Sequence, residues 1–179
     1  MLDAAGVACD AVRPDFDEAE AKSRLNDAPA IASELAAAKA LSVSVQRPAD
    51  WVIGSDSVVT SGDRLFDKPC DRQDAAEHLR LFSGRPMLLT SAVALAHGGE
   101  VDWHYVETAT LQVRELSDAF IHSYLDAEWP EVSYTVGVFR LEGRGVQLFE
   151  RIEGNHFTIL GMPLIPLLGA LRERGLLLA

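Results

Sequence analysis

Residues 51–60 read WVIGSDSVVT, a run of apolar and small residues that contains a single acidic side chain, Asp56. The length of the run and its Val and Ile content are typical of a buried β-strand, and the Ser-Gly-Asp triplet at 61–63 indicates a turn after it. A carboxylate is costly to bury unless a neighbouring group stabilises it. Asp56 is therefore either an acid hydrogen-bonded at a strand end or a functional group that binds a cation or accepts a proton from water.

The segments on both sides of this strand alternate between helical and extended patterns. Apolar residues at helical spacing predict helices over 30–46, 71–84, from 117 onward and over 163–175. An apolar run predicts a strand over 88–96, and alternating apolar and polar residues predict a half-exposed strand over 105–114. Residues 137–151 read as two short strands around a glycine-rich turn. We expect an α/β fold in which residues 1–179 form a single domain, with a mixed, largely buried sheet flanked by helices.

The first of these helices has a predicted buried face. Helical spacing over 30–46 places five apolar side chains on one side, which are Ile31, Leu35, Ala38, Leu41 and Val45.

The composition limits the classes of partner. The chain has a formal net charge of −11. Because nucleic-acid surfaces depend on clustered Lys and Arg, we expect no nucleic-acid polymer as a partner, whereas a divalent cation and a few lysines can neutralise a small triphosphate. No apolar run approaches the roughly 20 residues that cross a bilayer, and the N-terminus does not read as a secretion signal. We therefore expect a cytoplasmic protein without a membrane span.

Four other charged residues are candidates for a site, and each has a structural alternative. Lys68 precedes the helix predicted from 71, whose N-terminal amides attract anions such as phosphate, although a solvated loop lysine is an equal alternative. Lys39 lies on the flank of the apolar stripe of 30–46, where lysines commonly extend to solvent. Glu18 belongs to an acidic run that is typical of a solvated face. Glu142 lies in LEGRG at 141–145, where the glycines permit close approach of a ligand.

The chain resembles the Maf-like, septum-formation-inhibitor family in five motifs taken in order. They are IGSD at 53–56, FDKP at 66–69, LFSG at 81–84, EGRG at 142–145 and ILGMPL at 159–164. The resemblance covers nearly the whole chain and implies an α/β fold of the Maf and inosine-triphosphatase type. The segment LFERIEG at 148–154 is most similar to the branch described as acting on 7-methyl-GTP rather than the dTTP/UTP branch.

The resemblance implies hydrolysis of a nucleoside triphosphate between the α and β phosphorus atoms, giving a monophosphate and pyrophosphate. It also implies a divalent metal, Mg²⁺ or Mn²⁺, a homodimer, and a house-cleaning role that removes modified nucleotides. Asp56 matches the family's proton acceptor, and Glu18 with Asp56 matches the acidic positions at the metal. Lys39 and Lys68 match lysines of the family that face the phosphates. Ser57 and Glu142 match positions that are associated with substrate choice.

The sequence departs from the family pattern at two places. The 7-methyl-GTP branch typically has Gln where this chain has Ser57, so the base preference stays open, although the Glu142 carboxylate would suit the N–H donors of guanine. The family also opens with a strand and a Ser- and Arg-rich phosphate loop, whereas residues 1–7 match the end of its first helix. We therefore expect that strand and loop to be absent and the 179-residue chain to be a weak enzyme.

Two other functions stay open from the sequence. One is a catalytically weak nucleotide-binding or regulatory protein of the same fold, and the other is a general inosine-triphosphate-type pyrophosphatase of similar architecture. Release of pyrophosphate by the purified protein would separate the first of these from an enzyme.

Overall fold

The structure is a computed structural model that describes residues 1–16, 25 and 27–178. Among these residues a five-stranded sheet has the order β2-β1-β3-β4-β5. The strands are β1 Val52–Ser61, β2 Arg64–Phe66, β3 Pro86–His97, β4 Glu100–Val113 and β5 Phe149–Glu153. The α-helices are α1 Ala28–Ser44, α2 Arg72–Phe82, α3 Asp118–Glu128, α4 His156–Ile159 and α5 Leu164–Glu173. The expected α/β fold, with helices flanking a sheet, is confirmed.

The sheet is antiparallel, where a mixed sheet was expected. β1 pairs antiparallel with β2, and β4 pairs antiparallel with β5. The two-residue connections at 62–63 and 98–99 join β1 to β2 and β3 to β4, and connections this short link only antiparallel strands. Gly62 has φ +58° in the first connection, and both glycines of the second have positive φ. Periodicity alone did not reveal either hairpin.

The described chain divides into two compact units. The first comprises Met1–Asp56, Ser91–Glu107 and Gly161–Ala179, and the second comprises Ser57–Thr90 and Thr108–Leu160. The first unit contains α1 and α5, and the second contains α2, α3 and α4. No helix within the described ranges is long and apolar enough to span a membrane.

The helix predicted over 30–46 is confirmed as α1, which begins two residues earlier. The Asp27 carboxylate accepts the Ala30 N–H at 3.1 Å, and Pro29 occupies the first turn, where its missing N–H is not needed. Both features are ordinary helix-start signals. They lie just outside the apolar periodicity from which the helix was predicted.

The buried face of α1 differs from the predicted one. Ile31 and Leu35 are buried, but Ala38 and Leu41 are half-buried and Val45 is 68% exposed. The side chains that are buried instead follow a stripe rotated towards small residues, with Ala32, Ala36, Ala40 and Val43. The sequence pattern predicts which face is buried from the positions of the larger apolar residues. In the structure, the contact with β1 described below buries a face that is rich in alanine.

The second unit has its own apolar core, which includes Phe66, Leu79, Phe82 and Leu111. The helices predicted from 71 and 117 are confirmed as α2 and α3, each capped by the side chain expected, Asp71 in one case and Ser117 in the other. The C-terminal helix predicted from Pro163 is confirmed as α5 in the first unit.

Only one of the two strands predicted within 137–151 forms. β5 follows a 3₁₀ segment, Arg144–Leu148, but residues 137–143 form no strand, and 141–143 are a turn. Gly137 has φ +82° and Val138 has φ +58°, and a chain with two successive positive φ angles cannot continue as a strand. The Tyr124 hydroxyl donates to the Val138 carbonyl at 3.0 Å, which supports this turn.

Candidate active site

The first unit brings together two of the residues that were predicted to act on a nucleotide. Lys39 Nζ of α1 donates to Asp56 Oδ1 of β1 at 2.5 Å. The two side chains retain only 20% and 11% of their exposure, respectively. Lys39 therefore does not extend freely to solvent, as its position on the helix flank allowed, but forms a largely buried ion pair with the acid of the WVIGSDSVVT strand.

Close packing between α1 and β1 holds this pair. A Cβ atom placed on Gly54 would lie 2.3 Å from the Ala36 carbonyl oxygen and 2.6 Å from the Ala40 nitrogen. Real Cβ atoms essentially never make contacts that short, so a glycine is required where the two backbones meet. Because Ala36 and Ala40 are small, the helix backbone can approach the strand this closely.

Ser55 anchors the same part of β1. Its hydroxyl lies 2.8 Å from the Ala92 carbonyl oxygen and 2.8 Å from the Gly161 carbonyl oxygen. The sequence indicated only that small residues beside Asp56 leave room for a ligand. The structure shows that Gly54 and Ser55 also serve packing and hydrogen bonding, a role that no periodic pattern signals.

A cavity of about 740 Å³ lies in the first unit next to the ion pair. Its wall includes Lys39, Gly54 and Ser55. Arg47 contributes a second cation, and Trp51, which stacks on His97 with ring centroids 4.7 Å apart, contributes an aromatic wall. Concave sites of this size with a few polar groups are typical of small-molecule binding. Sequence analysis did not select Arg47 or Trp51, since neither belongs to a recognised motif.

Lys68 is an exposed loop residue of the second unit, between β2 and α2. Two carboxylates lie at the N-terminus of α2, where the sequence suggested that a phosphate could bind. Asp71 Oδ1 accepts the Asp74 N–H at 2.8 Å, and Asp74 Oδ2 accepts the Cys70 N–H at 3.0 Å. This bond to Cys70 holds the pKa of Asp74 below its ordinary value. An anion at these amides would meet two carboxylates, so a phosphate contact would fall to Lys68 itself.

The other predicted residues belong to different segments. Ser57 follows Asp56 in β1 and is half-buried. Glu142 is an exposed residue of the turn at 141–143, in the second unit. Glu18 lies outside the described residues. The structure thus brings Lys39 and Asp56 together, and Ser57 directly follows Asp56 in β1. Lys68 and Glu142 lie on separate segments of the second unit.

The carboxylate of Asp56 fits a divalent cation by its donor chemistry. Magnesium is commonly bound through one or two carboxylates, and water and substrate phosphates complete its coordination. Among residues 1–16, 25 and 27–178 there is no group of three or more His, Cys, Asp or Glu side chains arranged to hold a metal.

Comparison with known proteins agrees with this architecture. Residues 1–174 match the family model described as Maf-like protein. A relative from Rhizobium etli named 7-methyl-GTP pyrophosphatase is 45% identical, over 98% of this chain and 90% of its own length. One from Nitrobacter hamburgensis named nucleoside triphosphate pyrophosphatase is 44% identical, over 99% of this chain and 89% of its own. With a family match over almost its full length, relatives at 44–45% identity and an α/β fold of the expected class, this chain belongs to the Maf-like family.

Proposed function

We propose that this protein hydrolyses a nucleoside triphosphate to the monophosphate and pyrophosphate. The observation that carries the proposal is the largely buried ion pair of Lys39 and Asp56, of which Lys39 belongs to the wall of the cavity in the first unit. Relatives at 44–45% identity are named nucleotide pyrophosphatases, which supports the same reaction class.

The proposed reaction assigns separate tasks to the two side chains. A water molecule adds its oxygen to the phosphorus of the α–β anhydride, and Asp56 accepts the proton that the water loses. With attack at the α phosphorus, the bond between that atom and the oxygen that bridges it to the β phosphorus breaks, and its electron pair leaves with pyrophosphate, so that the nucleoside monophosphate remains. Lys39 orients the Asp56 carboxylate and offers positive charge to the phosphate oxygens at the cavity surface.

Asp56, with Glu18, would hold a divalent cation, Mg²⁺ or Mn²⁺. When bound, such an ion supplies neutralisation of phosphate charge that two lysines cannot supply alone. We further propose that Lys68 contacts the phosphates as a point charge, since the carboxylates of Asp71 and Asp74 already lie at the start of the neighbouring helix.

We also propose that Glu142 and Ser57 contribute to the choice of base. Glu142 is exposed on a turn and carries acceptor oxygens that match the N–H donors of guanine, and a cationic methylated base would gain further from its charge. Relatives of similar identity are named for 7-methyl-GTP and for nucleoside triphosphates in general, so 7-methyl-GTP is the first modified substrate to test.

The remaining proposals concern cellular context. We propose a cytoplasmic single-domain enzyme that acts as a homodimer on free nucleotides rather than on nucleic-acid polymers, and whose role is the removal of modified nucleotides. The net charge of −11 supports the preference for a small substrate, because a polymer of phosphates would be repelled.

Asp56→Asn tests the central assignment. The amide preserves size but neither binds a cation well nor accepts the proton, so pyrophosphate release should fall by about 100-fold or more, the usual contribution of a general base. Release is measured with GTP, 7-methyl-GTP, dTTP and UTP in Mg²⁺ or Mn²⁺, and Asp63→Asn in the exposed hairpin turn is the matched control. Near-normal turnover by folded Asp56→Asn would refute the proposal. Nucleotide binding by the unaltered protein without pyrophosphate release would favour a regulatory protein instead.

Glu142→Gln tests the role in base choice. The substitution turns an acceptor-only group into one that also donates, so selectivity among the four nucleotides should change more than the rate with the best of them. A preference for 7-methyl-GTP over GTP should shrink most. An equal loss with purine and pyrimidine triphosphates would contradict a base-reading role.

A further inference from the structure

Glu128, an acidic residue of the second unit, is buried and has no role in the proposed reaction. It is the last residue of α3, and its side chain retains 8% of its exposure. A carboxylate at a helix C-terminus faces the negative end of the helix dipole, and burial removes its hydration. Both effects are unfavourable, so the groups that surround this carboxylate must stabilise it.

The segment that carries Glu142 supplies two contacts to this carboxylate. Glu128 Oε1 accepts the Arg144 N–H at 3.2 Å. Glu128 Oε2 lies 3.7 Å from Arg140 Nε, and it has no hydrogen-bond partner in the part of the chain that the structure describes. Arg140 Nη1 also donates to the exposed Glu131 at 3.4 Å. Glu128 therefore links the two ends of residues 140–144 with one carboxylate.

Two glycines allow this segment to pack around the acid. A Cβ on Gly143 would lie 3.0 Å from Glu128 Oε2, and a Cβ on Gly145 would lie 2.5 Å from the Arg140 carbonyl oxygen. The Gly143 N–H closes the turn by donating to that same carbonyl at 3.2 Å. Glu142 is thus the exposed tip of a turn whose inner side is fixed on Glu128.

We propose that Glu128 is a positioning residue for nucleotide selectivity, which acts by holding residues 140–145 so that Glu142 keeps one orientation. This inference rests on the proposed role of Glu142 in base choice. An ion pair buried in this way is weak evidence of a purely stabilising role, because a well-packed apolar side chain commonly replaces such a pair without loss of stability. What an apolar residue could not do is bind the Arg140 guanidinium and the Arg144 amide at once.

Glu128→Gln is the informative variant because it keeps the size and an oxygen acceptor for the Arg144 N–H but removes the charge that faces Arg140. We expect the ratio of kcat/KM between the best and the poorest of GTP, 7-methyl-GTP, dTTP and UTP to fall about fivefold, within the range of coupling between residues in contact. The change should appear mainly in KM. Hydrolysis of tripolyphosphate, which has no base, should stay within about twofold of the unaltered protein. Glu131→Gln, which alters the exposed partner of the same arginine, is the matched control and should leave the ratio unchanged.

The double variant separates this inference from the proposal on which it rests. If Glu128 acts through Glu142, then Glu128→Gln should cause no further loss of selectivity in a Glu142→Gln background. Should Glu142→Gln alone leave selectivity unchanged, the base-reading proposal fails. A change with Glu142→Gln but none with Glu128→Gln overturns the positioning role only.

An equal loss of kcat with all four nucleotides and tripolyphosphate would also overturn it, since that pattern marks a general structural defect. If Glu128→Gln does not fold, Arg140→Gln addresses the same ion pair from the exposed side. It should give the same loss of selectivity, and normal selectivity in this variant refutes the inference.

Discussion

The approach of α1 to β1 at Gly54 gives the sharpest test of how packing controls the proposed chemistry. In Gly54→Ala, the new methyl group would begin 2.3 Å from the Ala36 carbonyl oxygen. Because the contact is with backbone, no side-chain rotation relieves it. To reach 3.0 Å, below which real Cβ contacts essentially do not occur, the helix and strand must separate by about 0.7 Å.

This displacement should affect both stability and turnover. Overpacking of a well-packed core typically costs about 1–3 kcal/mol, so we expect a loss of free energy of unfolding in that range. The separation would also move Lys39 of α1 away from Asp56 of β1, and misplacement of catalytic groups by about 1 Å can reduce rates by about 100-fold. We expect pyrophosphate release to fall about 10- to 100-fold, as measured alongside urea-induced unfolding.

Two further variants make the test specific. Gly169→Ala in α5 introduces the same methyl group where nothing lies within 4 Å, and it should stabilise the helix by about 0.4–1 kcal/mol with no loss of activity. Adding Ala40→Gly to Gly54→Ala removes only the side-chain contact at 3.0 Å, so it should not restore activity. Normal stability and turnover in Gly54→Ala, or full rescue by Ala40→Gly, would refute the backbone-contact explanation.

Two predictions concern stability in the second unit. Burial lowers the pKa of His78 below its ordinary value, although the neighbouring Asp74 acts in the opposite direction. Just below pH 6.5, the unfolded chain therefore binds more protons than the folded chain. The free energy of unfolding should fall as the pH drops through that window. Urea unfolding at pH 5.5 and 7.5 should show a smaller difference for His78→Gln than for the unaltered protein or for exposed His104→Gln, and equal differences would contradict the assignment. Tyr124→Phe removes the donor to the Val138 carbonyl and should cost about 1–3 kcal/mol, whereas a neutral result by the same assay would show that this turn does not depend on the bond.

Local signals in the sequence were sufficient for most elements of the fold. Asp71 and Ser117 began their helices as predicted, and β1 extends from Val52 to Ser61 where the apolar run predicted a strand. The first strand predicted within 137–151 was wrong because a non-glycine residue, Val138, adopts a positive φ angle in a turn that a tertiary bond from Tyr124 supports. The antiparallel sheet likewise depends on two hairpins, of which the sequence indicated only the turn at 61–63 and neither pairing of strands.

The candidate site was predictable in its residue types but not in its contacts. The buried acid in an apolar strand correctly marked Asp56 as unusual, whereas Lys39 carried no local signal that distinguished it from a surface lysine. Its partner is 17 residues away, so the pairing depends on how α1 lies against β1. Glu128 carried no signal at all, because an acid at the end of a helix reads as solvent-exposed until the 140–145 segment covers it.

The position of Lys39 follows from the same contact that requires Gly54. Residues two apart in a strand share a face, so Gly54 and Asp56 point to the same side of β1. Residues three apart in a helix are neighbours, so Lys39 lies beside Ala36, whose carbonyl meets Gly54. Once α1 packs on Gly54, the lysine has to lie near the acid. The sequence suggested that the small residues beside Asp56 leave room for a ligand. In the structure, Gly54 allows α1 to pack closely on β1, and this packing places Lys39 beside the Asp56 carboxylate.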